Sequence, residues 1–235
     1  MPGFVSHVVM ARDVYDKLSN KKICLNDMLT YSLGGDLCKY AQCRYDSHHK
    51  YKEKFIYELA NYIKENNLTD DGKVLGVLYG HICHYMMDDT LHPLIGDVLK
   101  KCVKHKANHT LMELYYDNYL VKMRYGLSKR KYLMKGILKS RGSREINQMI
   151  DYAYLNVYET DKVSKYYRLN LWLYRMLRNI YIIFGDYLVD RLIGLRRFIK
   201  HNRSVDMISD VDGLYKLSIE RACEYIEKIN KYLKI

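Results

Sequence analysis

Residues 51–65, YKEKFIYELANYIKE, place Phe55, Leu59 and Ile63 on one helical stripe with charged residues between them. The same period recurs along most of the chain. Residues 72–90 form a long apolar helix candidate entered through LTDDG, where Thr69, Asp70 or Asp71 can cap the first turn. Pro93 is expected to end or kink that helix, because proline disfavours helical geometry in the residue before it. A further helix is expected from near Asn108 to about Met123, with breaks at Gly126 and Ser128 and at RGS, 141–143. Residues 165–200 make a long amphipathic stretch rich in Leu, Ile, Tyr and Arg. The last helix, about 213–233, repeats the pattern with Leu214, Leu217, Ile219, Ala222 and Ile226.

Pro2 and Pro93 are the only prolines, which favours long helices over an architecture of sheets and turns. With no internal repeat or low-complexity linker in view, residues 1–235 are expected to form a single all-α domain, a multi-helix bundle. A hydrophobic fraction of 49% with 28% charged residues excludes a wholly disordered chain. The 25 tyrosines sit mostly at helical spacing, where an apolar ring with a polar tip suits half-buried helix faces.

The first residues, MPGFVSHVVMARDVYDKL, lack a basic start followed by an apolar run. The longest uncharged apolar run, near NIYIIFG at 179–185, is too short to span a bilayer. The six cysteines show no C-x-x-C spacing, so free thiols and a cytoplasmic setting are expected. Net charge is +12, and part of the excess is local. Between residues 118 and 144 lie Lys122, Arg124, Lys129, Arg130, Lys131, Lys135, Lys139, Arg141 and Arg144, with no acidic residue among them. This segment reads as a solvated basic face, or else as a peripheral contact with the phosphates of an anionic membrane or of nucleic acid.

All histidines except His201 precede residue 110. Within HYMMDDTLHP, 84–93, the residues His84, Asp88 and His92 advance about 40° per four-residue step and share one helix face. His84 and His92 lie about 12 Å apart along that axis, too far to share one ion, and Asp88 stands between them. His109 and Glu113, in HTLME, supply a second pair at the same spacing on the next expected helix. Imidazole mixed with carboxylate, without thiolate, suits Zn²⁺ in a hydrolytic site. Paired ligands from neighbouring helices are one way bundle cores build metal sites. His81, one turn before His84, reads as a plain helix residue or as a partner of a ligand.

HYMMDDTLHP followed by HTLMELYYD resembles the zinc-dependent phospholipase C family, which shares its fold and metal ligands with the fungal single-strand nucleases. MPGFVSH is similar to the family's N-terminal segment with its early histidine, His7. YSLGGDLCKY is similar to its glycine–aspartate turn, giving Asp36, and SHH supplies His48 or His49. The resemblance covers about residues 1–120, and the ending HNRSVDMISDVDGLYKLSIERACEYI is only faintly similar to the family's last helix.

The resemblance implies two or three zinc ions in a cleft between helices. Asp36, His48 or His49, His84 and Asp88 match the ligands of the first ion. His92, His109 and Glu113 match those of the second. His7, with Asp88 as a bridging carboxylate, matches the third, beside the first. The family completes that third position with its N-terminal amine and carbonyl; its secreted members begin with tryptophan, where this chain has Met-Pro-Gly. Asp36 is the family's usual candidate for general base, while by itself it also reads as a turn residue after Gly34 and Gly35.

The implied function is a zinc-dependent phosphodiester hydrolase that cleaves a phospholipid headgroup as phospholipase C does. The alternatives are a nuclease or nucleotidase acting on single strands, or a degenerate member that binds metal without turnover. The stretch LNLWLYRMLRNIYIIFGDYLVDRL would suit a membrane surface, but its pattern is also that of a buried bundle helix, which is the expectation taken here.

Overall fold

A computed structural model describes residues 3–19, 22–38, 41, 50–103 and 108–235. Among them the chain is all-α, with ten α-helices and no strand. The helices are α1 (Phe4–Lys17), α2 (Leu25–Tyr31), α3 (Lys52–Glu65), α4 (Gly72–Lys101), α5 (His109–Tyr125), α6 (Lys129–Met134), α7 (Arg144–Tyr158), α8 (Ser164–Leu192), α9 (Leu195–His201) and α10 (Val211–Leu233). A short 3₁₀ turn, Gly34–Cys38, follows α2.

The stripe of Phe55, Leu59 and Ile63 is the buried face of α3, and all three are fully enclosed. The central element is α4, against which α2 and α10 pack most extensively, with α1, α3, α5 and α7 completing its surroundings. Its first turn is capped by Asp71, whose carboxylate accepts hydrogen bonds from the backbone N–H of Lys73 (2.8 Å) and Val74 (3.3 Å). Asn108, Ser128 and Ser143 cap α5, α6 and α7 in the same way. Gly126 ends α5 in the left-handed conformation that glycine adopts without steric cost.

Gly76 and Gly80 set how closely α2 approaches α4. A Cβ at Gly76 would press on Cys24 O and Met28 N, and one at Gly80 on Met28 O and the backbone of Tyr31 and Ser32. The four-residue step of these glycines continues to His84, Asp88 and His92. One line along α4 therefore serves as a packing groove in its first half and carries the candidate ligands His84, Asp88 and His92 in its second.

Two expectations need correction. The helix does not end at Pro93 but runs on to Lys101. Proline removes only the one N–H that would have bonded Asp89, while Leu91, Ile95 and Val98 on either side remain buried and hold the helix in place. The amphipathic stretch 165–200 spans α8 and α9 and is not continuous. Gly185 breaks α8 with φ 77°, and Gly194 separates α8 from α9. Nor is α8 simply a buried bundle helix: Tyr167, Leu171 and Tyr181 face the core, but Trp172, Met176, Ile183 and Phe184 face solvent.

The basic segment is also divided. Lys131, Lys135 and Lys139 are exposed. Lys129 is enclosed, with its Nζ 3.7 Å from Asp190 and 4.0 Å above the ring of Tyr181. Cys83 and Cys102 are buried free thiols, Cys24 and Cys223 are half-buried free thiols, Cys38 is buried, and Cys43 lies outside the described residues. No described helix is long and apolar enough to cross a membrane.

Candidate metal centre

His7, Asp36 and His84 come from α1, the 3₁₀ turn and α4, and they meet in the interior. One ligand atom from each lies within 4.8 Å of the others, and all three residues are buried. Asp88, one turn beyond His84, faces both imidazoles. Its Oδ1 is 3.5 Å from His7 Nε2 and its Oδ2 is 3.4 Å from His84 Nε2. The two imidazole rings are tilted against each other with centroids 4.5 Å apart.

His7, Asp36 and His84 are each placed by an identifiable contact. His7 is fixed through the start of α1, where Asp117 of α5 accepts hydrogen bonds from Val5 N (3.4 Å), Ser6 N (2.8 Å) and Ser6 Oγ (2.6 Å). A carboxylate at a helix N-terminus satisfies orphan N–H donors and suits the helix dipole. Gly3 makes this possible, since a Cβ there would overlap the Asp117 carboxyl group. Burial pushes the Asp117 carboxyl up to about 6, against the opposing pull of Lys129 and the hydrogen bonds from Ser6 and Val5.

Asp36 sits on the 3₁₀ turn, which is pinned from outside by Asn170 Nδ2 donating to Leu37 O (2.9 Å). Gly34 has φ 40°, and a Cβ on it would overlap the ring of His84. The turn therefore lies directly against the imidazole, which brings Asp36 to His84. His84 Nδ1 lies 3.2 Å from Ser32 O. Donation of an Nδ1 proton to that carbonyl puts the lone pair on Nε2, the atom facing Asp88. A ring oriented by a backbone carbonyl on one nitrogen and offering the other is the usual arrangement of a metal-binding histidine.

A second group lies one turn along α4. His92 and His109 have ring centroids 5.1 Å apart, and His109 Nε2 is 3.0 Å from Glu113 Oε1. All three are half-buried. Asn108 caps α5 and so fixes His109 in its first turn. From Asp88 to His92 the axial rise is about 6 Å, so the two groups stand in line along one helix.

The donor set fits a divalent metal. It combines imidazole nitrogens with carboxylate oxygens, includes no thiolate, and places the inner group out of contact with bulk water. The structure gathers His7 within 4.8 Å of Asp36 and His84 as well as 3.5 Å from Asp88, so the residues that the resemblance assigns to its first and third positions share one place. His48 and His49 lie outside the described residues.

His81 stands apart from the candidate ligands. Its Nδ1 is 2.9 Å from Val77 O and its Nε2 is 2.9 Å from Tyr167 OH, in a chain that continues through Tyr154 OH to Cys38 Sγ. Burial lowers its pKa to about 4, which keeps the ring neutral near pH 7. Spacing along the sequence did not disclose Ser32, Asp117 or Asn170, because each acts on a segment far away in the chain. The pair Gly34–Gly35 beside Asp36 was the one local signal.

Comparison of the chain with models of known families, with curated proteins and with solved structures finds no match.

Proposed function

We propose that the chain is a zinc-dependent phosphodiester hydrolase, acting on a phospholipid headgroup in the manner of phospholipase C. The observation that carries this reading is the meeting of His7, Asp36, His84 and Asp88, from three separate elements, in one buried place. His7, Asp36, His84 and Asp88 would hold one or two ions, and His92, His109 and Glu113 a further one. Zinc held there supplies a water of lowered pKa and positive charge for the phosphate oxygens.

The chain's own residues account for the rest. Asp36, at the edge of the inner group, can accept the proton of an attacking water on its carboxylate. Addition of that water across the phosphodiester yields a phosphomonoester and an alcohol. His84 keeps its Nε2 turned inward through the Ser32 carbonyl, and Asp88 holds His7 and His84 at a common distance. Burial of His7, Asp36, His84 and Asp88 keeps bulk water out and strengthens each charge interaction inside.

The test is metal content per chain after zinc supplementation, followed by hydrolysis of phosphatidylcholine, phosphatidylinositol and single-stranded DNA in parallel. At least two zinc ions per chain and release of a phosphorylated headgroup are expected. Less than one bound transition metal would overturn the metal reading. Full metal content with no hydrolysis would overturn the enzymatic reading, and cleavage of DNA alone would replace the lipid substrate.

A further inference from the structure

The helix α8 is apolar on two sides. Tyr167, Leu171 and Tyr181 are buried in the bundle. On the other side, Trp172 is 54% exposed, Met176 43%, Ile180 39%, Ile183 68% and Phe184 56%. At 100° per residue these positions fall within an arc of about 120°, and with Leu169 they form a continuous stripe about 22 Å long. Isolated exposed apolar residues need no explanation, but a contiguous apolar stripe on a charged protein marks an interaction surface.

Charge identifies the occupant. Between Ser164 and Gly185 the sequence holds no acidic residue; Lys165 and Arg168 are exposed there, while Arg175 and Arg178 are half-buried and donate to the backbone carbonyls of Leu138, Ser140 and Ile137. Helix α6 packs beside α8 and adds the exposed Lys131 and Lys135, with Met134 exposed between them. The two acidic residues of α8 lie beyond the stripe and are turned to protein partners. Asp186 accepts from the backbone N–H of Arg130, and Asp190 accepts from Asn118 and faces Lys129.

A second copy of this chain would bring two basic surfaces together, with no acidic group to offset them. A nucleic acid would meet the cations but leave the aliphatic Met176, Ile180 and Ile183 unsatisfied. An anionic bilayer accommodates both features, with apolar side chains entering the acyl boundary and lysine and arginine at the phosphates. We propose that this face of α8, flanked by α6, docks the protein onto the surface of a bilayer containing anionic phospholipid. The proposal stands independently of the metal centre, since it concerns binding and not turnover.

Trp172 is the single tryptophan of the chain and lies within the stripe, so its fluorescence reports docking directly. The full chain is titrated with vesicles of phosphatidylcholine alone and of phosphatidylcholine mixed with phosphatidylserine, following the emission of Trp172 and co-sedimentation. A blue shift and sedimentation with the mixed vesicles, weakened by salt, are expected. The exposed double variant Met176→Glu with Ile183→Glu, checked for retained helicity by circular dichroism, is expected to reduce binding at least about tenfold. Lys131→Ala with Lys135→Ala is expected to weaken binding to mixed vesicles and leave phosphatidylcholine unaffected.

The absence of any emission change with mixed vesicles would overturn the proposal. So would lipid-free dimerisation abolished by the glutamate variant, which would assign the stripe to a second copy. A Trp172 response to an oligonucleotide but not to vesicles would assign it to nucleic acid.

Discussion

Gly34 shows how one residue couples a turn to a candidate ligand. Its positive φ and the His84 ring, which an added Cβ would overlap, leave no room for a side chain, so alanine there must move either the turn or the imidazole. The turn carries Asp36, and the imidazole is held by Ser32 O, so either movement separates the two groups. Gly34→Ala is therefore expected to reduce bound zinc at the inner group while leaving the helical content nearly intact. Zinc stoichiometry and far-ultraviolet circular dichroism measured on the same sample check this, and unchanged stoichiometry would refute the coupling. Spacing alone pointed to His84, Asp88 and His92, and to His109 and Glu113, because each set repeats within one helix. His7 and Asp36 entered only through the resemblance, since nothing in their own surroundings says which distant residue they meet. Their convergence with His84 is a tertiary fact, and a helical period cannot express it.

At the level of elements, periodicity marked α3, the first part of α4, α5 and α10, because caps such as Asp71 and Asn108 act locally, but it did not pick out α1, α2 or α7. It failed where packing overrules local preference, as at Pro93, and where one helix has two apolar faces, as in α8. It also failed at α6, whose start looks on paper like a run of solvated lysines. Lys129 in fact lies between Asp190, the ring of Tyr181 and the field of Asp117. Removing one partner of such a buried arrangement leaves the others uncompensated, which typically costs about 3–5 kcal/mol. Lys129→Met is expected to destabilise on that order at pH 8, while Lys131→Met is expected to be close to neutral. The pH dependence has a definite sign. Asp117 has a folded pKa near 6, above its unfolded value, so below about pH 5 it carries a proton and has less need of a neighbouring cation. The cost of Lys129→Met is therefore expected to shrink between pH 8 and pH 5. Urea unfolding of both variants at the two pH values measures it, and a cost that grows toward pH 5 would contradict the assignment.

On the scale of the whole molecule, the candidate centre joins segments distant in sequence. His7 belongs to α1, Asp36 to the turn after α2, His84 and Asp88 to α4, and His109 and Glu113 to α5. Unfolding separates all of them, so on the proposed reading metal binds the folded chain far better than the unfolded one. Stabilisation then follows mass action, about 4 kcal/mol when free zinc is a thousandfold above its dissociation constant. For a chain of this size each kcal/mol moves the melting temperature by about 2–4 °C, so removal of zinc by a chelator is expected to lower it by roughly 8–16 °C. The donor geometry also ranks two variants. Asp88 faces both His7 and His84, whereas His109 faces Glu113 and His92 in the outer group. Asp88→Asn is expected to lower zinc stoichiometry more than His109→Ala and to remove more of the difference between chelated and zinc-loaded melting temperatures. Calorimetry with and without chelator, paired with elemental analysis, reads both quantities on each variant. Equal metal loss from the two would argue that Asp88 serves one ion only. A melting temperature indifferent to chelation in the parent chain would mean that the four segments are held together by their packing alone.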